Sequence, residues 1–306
     1  MSHQPFLNNP DEFPDPDEIT SWGDETIIID FIGGPYRFSG LNESQALALQ
    51  SRFGDCCIPS CEENSIVIDT RIAHIDESVF REIDRANGYV YEHIDYSFKK
   101  SNVEIVGQYF TANLDLDNTL SATMWTPLNE HPWFPGIVFE NFFRNLVAYR
   151  LLELGGVLLH SAGMVNHDDK VWLFVGHSGA GKSTIAELCC NAGYSILSDD
   201  LNAILPDGDK LYVEKVPFSG TFRSLHSRGS RYPLKTLCRI VKDNTNYLEP
   251  VSNGEMLALM VANSPFINQD RLRQDELLTN HLKMMEHCQS NTLHFSLDGK
   301  FTDLLS

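Results

Sequence analysis

Positive charge is scarce in this sequence: 23 Lys and Arg stand against 42 Asp and Glu, a net charge of −19 over 306 residues. That balance argues against nucleic acid as a partner, since affinity there comes mainly from Lys and Arg neutralising phosphates. No Lys/Arg run or basic helix face is present either. No apolar stretch approaches the roughly 18 residues that span a bilayer, so no membrane segment is expected. The first residues, MSHQPFLNNPDEFPDPDEITSW, have neither the basic start nor the apolar core of a signal peptide. Seven cysteines, an odd and scattered set, make no disulfide framework. Reduced thiols and a cytoplasmic location are therefore expected. A hydrolase nucleophile elbow, G-x-S-x-G, is missing, because the glycines around Ser178 run G-x-S-G. No internal repeat is visible.

What is there reads as a globular chain, 42% apolar and 21% charged, long enough for two domains. Residues 1–22, polar, acidic and Pro-rich, are expected to form a disordered or loosely attached tail. Residues 23–130 alternate apolar and polar positions through TIIIDFIG, PYRFSGL, SIVIDTRI, GYVYEHIDYSF, VEIVGQYFTANLDL and LSATMW. This predicts a mainly antiparallel, β-rich domain without a βαβ rhythm. Its clearest helix starts at the N-cap residue Asn42 and closes at Gly54. PLNEHPWFP, Pro127 to Pro135, interrupts regular structure and marks the boundary. Beyond it, residues 131–306 open with a helix whose rich face is outlined by Phe139, Phe142, Phe143, Leu146, Val147, Arg150 and Leu151. The rhythm then changes to strand, turn, strand, loop, helix, strand: VLLHSAGMV, NHDDK, KVWLFVG, GHSGAGKST, IAELCCNAGY, SILSDD. That is a βαβ-like unit. LYVEKV and LKTLCRIV predict strands, NGEMLALMVANS a helix, and about 270–289 a long polar helix. The expected fold class is α/β (α+β).

GHSGAGKST satisfies the P-loop pattern G-x-x-x-x-G-K-[ST] completely, with a β-type run before it and a helix after it. Gly176, Gly179 and Gly181 let the backbone aim N–H groups at phosphate oxygens. Ser178, Ala180 and Thr184 complete the loop around the nucleotide. Lys182 reaches the β- and γ-phosphates, and the Ser183 hydroxyl is suited to Mg²⁺. The helix that starts here turns its positive end toward the anion. The motif predicts nucleotide binding, with ATP and Mg²⁺, and leaves the reaction open.

SILSDD ends in Asp199 and Asp200 immediately after the P-loop helix. Neighbours on a strand point to opposite sides, so only one can face the phosphates unless the strand breaks. One carboxylate is suited to act as base toward a hydroxyl while the other holds Mg²⁺. His160 ends the run VLL and can sit at the edge of the same sheet, although a histidine on an apolar run is also a common packing residue.

The segment LLHSAGMVNHDDKVWLFVGHSGAGKSTIAELCCNAGYSILSDD resembles the catalytic core of HPr kinase/phosphorylase, a P-loop kinase family of the phosphoenolpyruvate carboxykinase fold group. A strand histidine (His160), a hairpin, the G-x-S-G-x-G-K-S loop, a helix with Ala186 and Leu188 ending at Gly193, and the Asp199–Asp200 pair stand in the family's order. The resemblance implies a mixed sheet carrying the P-loop. It further implies Asp199 as the base, Lys182 on the phosphates, Ser183 and Asp200 on the metal, and His160 near the transferred group. Thr184 stands where the family usually has Glu, and the family's L-E-I-R-G-L-G stretch is missing. VPFSGTFR and YPLKTLCRIVK are more similar to diverged relatives that phosphorylate other hydroxyls, including a C-terminal Ser in lasso-peptide biosynthesis. The expected activity is therefore an ATP-dependent kinase acting on a Ser of a protein or peptide. A nucleotide-binding regulatory module with little phosphotransfer and a small-molecule kinase are the alternatives. Homo-oligomerisation is left open.

Weaker candidates remain. Arg223, Arg228 or Arg231 could close over the γ-phosphate as an arginine finger. Cys56, Cys57 and Cys61 invite a zinc reading, but no partner pair follows at ligand spacing. Cys189 and Cys190 read as packing residues of the P-loop helix. Trp125, Trp133 and Phe134 could stack an adenine or fill a core.

Overall fold

The computed structural model describes residues 6–9, 13–16, 18–81, 94–218 and 231–305. The chain divides into two compact units, Met1–Leu146 and Val147–Ser306. Both carry a large mixed sheet with few helices, an α+β architecture. Among the described residues no helix is long and apolar enough to cross a membrane.

The first unit runs β1 (Glu25–Ile29), β2 (Tyr36–Leu41), α1 (Glu43–Phe53), β3 (Cys57–Ile58), β4 (Ile68–His74), β5 (Asp95–Phe98), β6 (Asn102–Gly107), β7 (Phe110–Asp115) and β8 (Ser121–Thr126). Its sheet has the order β3-β1-β2-β4-β8-β7-β6-β5. Most pairs are antiparallel, but β2–β4 and β4–β8 are parallel. A helix crossing between parallel strands is a βαβ unit, so β2–α1–β4 supplies the rhythm that the sequence reading found missing. The short spacing of β2 and α1 hid it.

Helix α1 begins as expected. The Asn42 side chain accepts the Gln45 N–H at 2.8 Å, and Gln45 returns a bond to the Asn42 N–H at 3.1 Å, a capping box. Gly54 closes the helix with φ +47°. In the tail, Phe6 and Leu7 are buried, Leu7 bridges to Phe80, and Ser21 bridges to Ala73. These described stretches thus attach to the first unit where a loose tail is expected.

Residues Phe134–Val138 form a π-helical turn containing Pro135, and α2 (Phe139–Glu153) follows directly. The division between units falls inside this helix, past the expected boundary at 130. Its first turns pack rings edge-on against the sheet: Phe38 lies 4.8 Å from Phe139 and 4.9 Å from Phe143, centroid to centroid. Trp125 and Phe134 are buried in this unit, which makes them core residues.

The second unit continues with β9 (Val157–Val165), β10 (Val171–Val175), α3 (Lys182–Asn191), β11 (Ser195–Ser198), β12 (Leu201–Asp207), β13 (Lys210–Lys215), β14 (Arg231–Lys242), β15 (Tyr247–Pro250), α4 (Asn253–Ala262), α5 (Gln274–Glu286) and β16 (Gln289–Phe295). The expected β9–β10 hairpin is present, and the Asn166 side chain accepts from the backbone of Asp168 and Lys170 to shape its turn. Strand β10 pairs with β14 as well as β9, so the path β9-β12-β13-β14-β10 closes on itself. Strands β16 and β15 extend outward from β14. The long polar helix is shorter than expected: Gln289 already belongs to β16, which pairs in parallel with β14. QSNTLHF has too few apolar residues to announce a strand, and its partner strand supplies what its composition does not. Helix α3 packs Ile185, Ala186 and Cys189 onto Phe174, Ile240, Leu293 and Phe295 of the sheet. Burial pushes the Cys189 thiol up to about 12, in keeping with a packing role, whereas Cys190 is exposed and does not pack as expected.

Candidate functional site

All five residues of β10 are buried, and the chain leaves this strand at Gly176 to re-enter regular structure at Lys182, the first residue of α3. The loop between is tight. A Cβ on Gly176 would stand 2.8 Å from the Ala180 Cβ and 2.9 Å from Ile240 Cγ1. Gly181 has φ +114°, a conformation that side chains rarely adopt, and a Cβ there would meet Phe295 Cζ at 2.9 Å. Both glycines are therefore required by close approach of the loop to the core. Lys182 is buried, and its ammonium donates to Gly176 O at 2.8 Å and to His177 O at 3.4 Å. Burial lowers its pKa, and the neighbouring Asp200 opposes that shift.

Strands β11 and β12 pair along β9 one after the other, and Asp199–Asp200 fills the break between them. The Ser198 hydroxyl accepts the N–H groups of Asp200 at 3.1 Å and Leu201 at 3.2 Å, while the Ser161 N–H donates to Asp200 O at 3.0 Å. The strict alternation of a strand is lost here, and both carboxylates border one cavity. Asp199 is buried at 5% exposure, whereas Asp200 is half-buried. His160, paired with Leu201 across the β9–β12 ladder, brings Nε2 to 3.6 Å from Asp200 Oδ1. Its backbone N–H donates to Asn263 O at 2.7 Å, which anchors this end of β9.

The cavity has a volume of about 500 Å³. His160, Asp199 and Asp200 border it together with Ser178, Gly179, Gly181, Lys182, Ser183 and Thr184. Gly176 and Ala180 do not line it and serve the packing beneath the loop. Motif residues separated along the chain thus meet at one place.

One lining residue escaped the sequence reading. Lys242 closes β14, which runs parallel to β10, so its C-terminal end lies beside the loop that follows β10. The Lys242 ammonium stands 3.4 Å from Gly179 O. Its signal was only a lysine at the end of YPLKTLCRIVK, and parallel pairing of distant strands is not written locally. The arginine expectation is corrected for Arg231: it begins β14 at the opposite end, pairs with Asp207 at 2.9 Å and covers the Tyr212 ring. Arg223 and Arg228 lie outside the described residues. Cys56, Cys57 and Cys61 are free thiols of the first unit, and among the described residues no cluster of three or more His, Cys, Asp or Glu could hold a metal.

No protein-family model matches this chain, and no curated protein matches it at significant similarity. Two ammonium groups, a helix N-terminus and a glycine loop favour a polyanion. Two carboxylates and an imidazole on the same cavity provide acid–base capacity, and carboxylate oxygens suit a hard cation.

Proposed function

We propose that this protein is an ATP-dependent kinase that passes the γ-phosphate to a hydroxyl, that of a Ser of a protein or peptide, with a P-loop core of the HPr kinase-like, phosphoenolpyruvate carboxykinase-like kind. One observation carries the reading: the buried Asp199 and the half-buried Asp200 open onto the same cavity as Lys182 and Ser183. A kinase needs a base placed against its acceptor and a binding module does not, and the buried Asp199 on this cavity is suited to that part. The loop also suits a phosphate chain, because Gly179 lines the cavity and no heavy atom lies within 4 Å of where its Cβ would stand, which leaves its backbone open to a ligand.

In this reading the Gly179–Ser183 backbone and the start of α3 hold the β- and γ-phosphates. Lys182 exchanges its bonds to the loop carbonyls for phosphate oxygens, and Lys242 adds a second cation from the neighbouring strand. Ser183 and Asp200 are the residues that would hold Mg²⁺, a set that suffices for an ion that keeps waters and phosphate oxygens as its other ligands. The ion would neutralise charge on the transferred group. Asp199 takes the proton from the acceptor hydroxyl as its oxygen bonds to the γ-phosphorus. The bond to the β,γ-bridging oxygen breaks, and ADP leaves. His160, beside Asp200, orients that carboxylate and faces the transferred group.

The test is transfer from γ-labelled ATP with Mg²⁺ to Ser-bearing peptides, with Asp199→Asn beside the wild type. The variant is expected to lose about 10²- to 10⁴-fold in turnover while retaining ATP affinity. Tight ATP binding without transfer in the wild type, unchanged in the variant, would instead make the protein a nucleotide-binding regulatory module.

A further inference from the structure

The first unit carries a second concavity, with a volume of about 610 Å³, bounded by β1, α1 and β3. Its apolar wall is Ile27, Ile28, Ala46, Leu47 and Ile58. Leu47 is 58% exposed, so a large apolar side chain of α1 stands uncovered at this groove. Glu25 and Glu43 border it and no Lys or Arg does, which gives it one sign of charge.

The sheet edge along this groove is incomplete. Strand β3 pairs only with Ile28 and Ile29, and the Asp30 N–H donates to Cys56 O at 2.8 Å. In an antiparallel ladder the hydrogen-bonding direction alternates, so Asp30, Ile28 and Thr26 all turn N–H and C=O toward the β3 side. Strand β3 ends at Ile58, and its ladder with β1 ends at the Ile28–Ile58 pair. The exposed Thr26 is thereby left on an open edge, bordering the same groove as Leu47, Glu25 and Glu43.

We infer that this groove binds an extended basic segment of a polypeptide, which adds a strand to the β1 edge beyond β3. Main-chain bonds to Thr26 supply register. Glu25 shares a face of β1 with Ile27, and Glu43 shares a face of α1 with Leu47, so the segment presents both its apolar side chains and its cations on the one face turned to the groove. The inference deepens the kinase reading, since the bound segment would belong to the acceptor. The docking itself is measured without ATP and does not depend on transfer.

The probe is a fluorescent Lys/Val heptapeptide, Lys-Thr-Val-Thr-Lys-Thr-Val, which puts Lys and Val on one face of a strand. It is titrated against the full-length protein by anisotropy, with the Glu/Val peptide that has Glu in place of each Lys as its counterpart. The Lys/Val peptide is expected to bind saturably and the Glu/Val peptide not to bind. Thr26→Pro removes one edge donor without changing charge and is compatible with an edge strand; it should weaken binding about tenfold. Leu47→Lys, at an exposed helical position, should weaken it at least as much by covering the apolar patch with a cation. Circular dichroism and melting of both variants should match the wild type. Absence of saturable binding, or binding that neither variant alters, overturns the proposal. Peptide binding that survives a failure of ATP-dependent transfer separates this inference from the kinase reading.

Discussion

Gly181→Ala is the substitution whose cost can be worked most directly from the structure. The residue sits at φ +114°, and an added Cβ would lie 2.9 Å from Phe295 Cζ and 3.1 Å from Lys242 Cε. The Lys242 side chain can swing away, but Phe295 is 1% exposed and packed against Phe301, so it has nowhere to move without disturbing the core. Backbone strain of about 1–2 kcal/mol adds to overpacking of about 1–3 kcal/mol. The sum is about 2–5 kcal/mol, or a fall in Tm of roughly 4 to 20 °C. Gly179→Ala is the internal control. Its φ is +79°, and no heavy atom lies within 4 Å of its would-be Cβ, so only the backbone part should be lost. Calorimetric melting of both variants separates the two contributions. Phe295→Leu, which opens space at the contact, should reduce the cost of Gly181→Ala by about 1 kcal/mol or more in a double-mutant cycle. If Gly181→Ala melts no lower than Gly179→Ala and shows no coupling to Phe295, the close-packed loop described above is refuted.

Two further perturbations probe buried charge. His281 is fully buried with Nε2 2.9 Å from the Ser264 hydroxyl, and burial lowers its pKa to about 4. Between about pH 6.5 and pH 4 the unfolded chain binds a proton that the folded chain refuses, so this residue makes stability fall as pH falls, by up to about 1.4 kcal/mol per pH unit. Urea unfolding at pH 7 and pH 5 should show a smaller acid loss in His281→Gln than in the wild type; equal losses would be contrary to this assignment. In the first unit, the carboxylate of Glu140 is buried and bound by both Arg52 and Arg144, the latter at 2.6 Å. Replacing both arginines with Met should cost about 3–5 kcal/mol by leaving that charge unpaired, and adding Glu140→Gln should recover part of it. A double variant with wild-type resistance to urea would rule this out.

Much of the fold was legible wherever a short stretch carries its own instructions. Asn42 with Gln45 and Gly54 delimits α1, NHDDK shapes the β9–β10 turn, and the glycines at 176 and 181 answer a steric demand that only residues without a Cβ meet. The parallel pairs β2–β4 and β4–β8 were not legible, because nothing within either strand states which distant strand will lie beside it. The strand β16 was hidden for a related reason: its polar composition is tolerated only because β14 and β15 flank it.

The candidate site divides along the same line. By itself the sequence determined the residue types and local geometry of the loop, since GHSGAGKST specifies tight turns and a helix start through φ preferences and hydrogen-bonding groups within a few residues. It also brought Asp199 and Asp200 to a strand end. Tertiary structure alone decided that the strand breaks there, so that both carboxylates border the cavity, that His160 stands beside Asp200, and that Lys242 rather than Arg231 lines the site. Those outcomes depend on which strands pair and in which direction, and pairing is decided by burial and hydrogen bonding summed over the whole sheet, not by any segment of it.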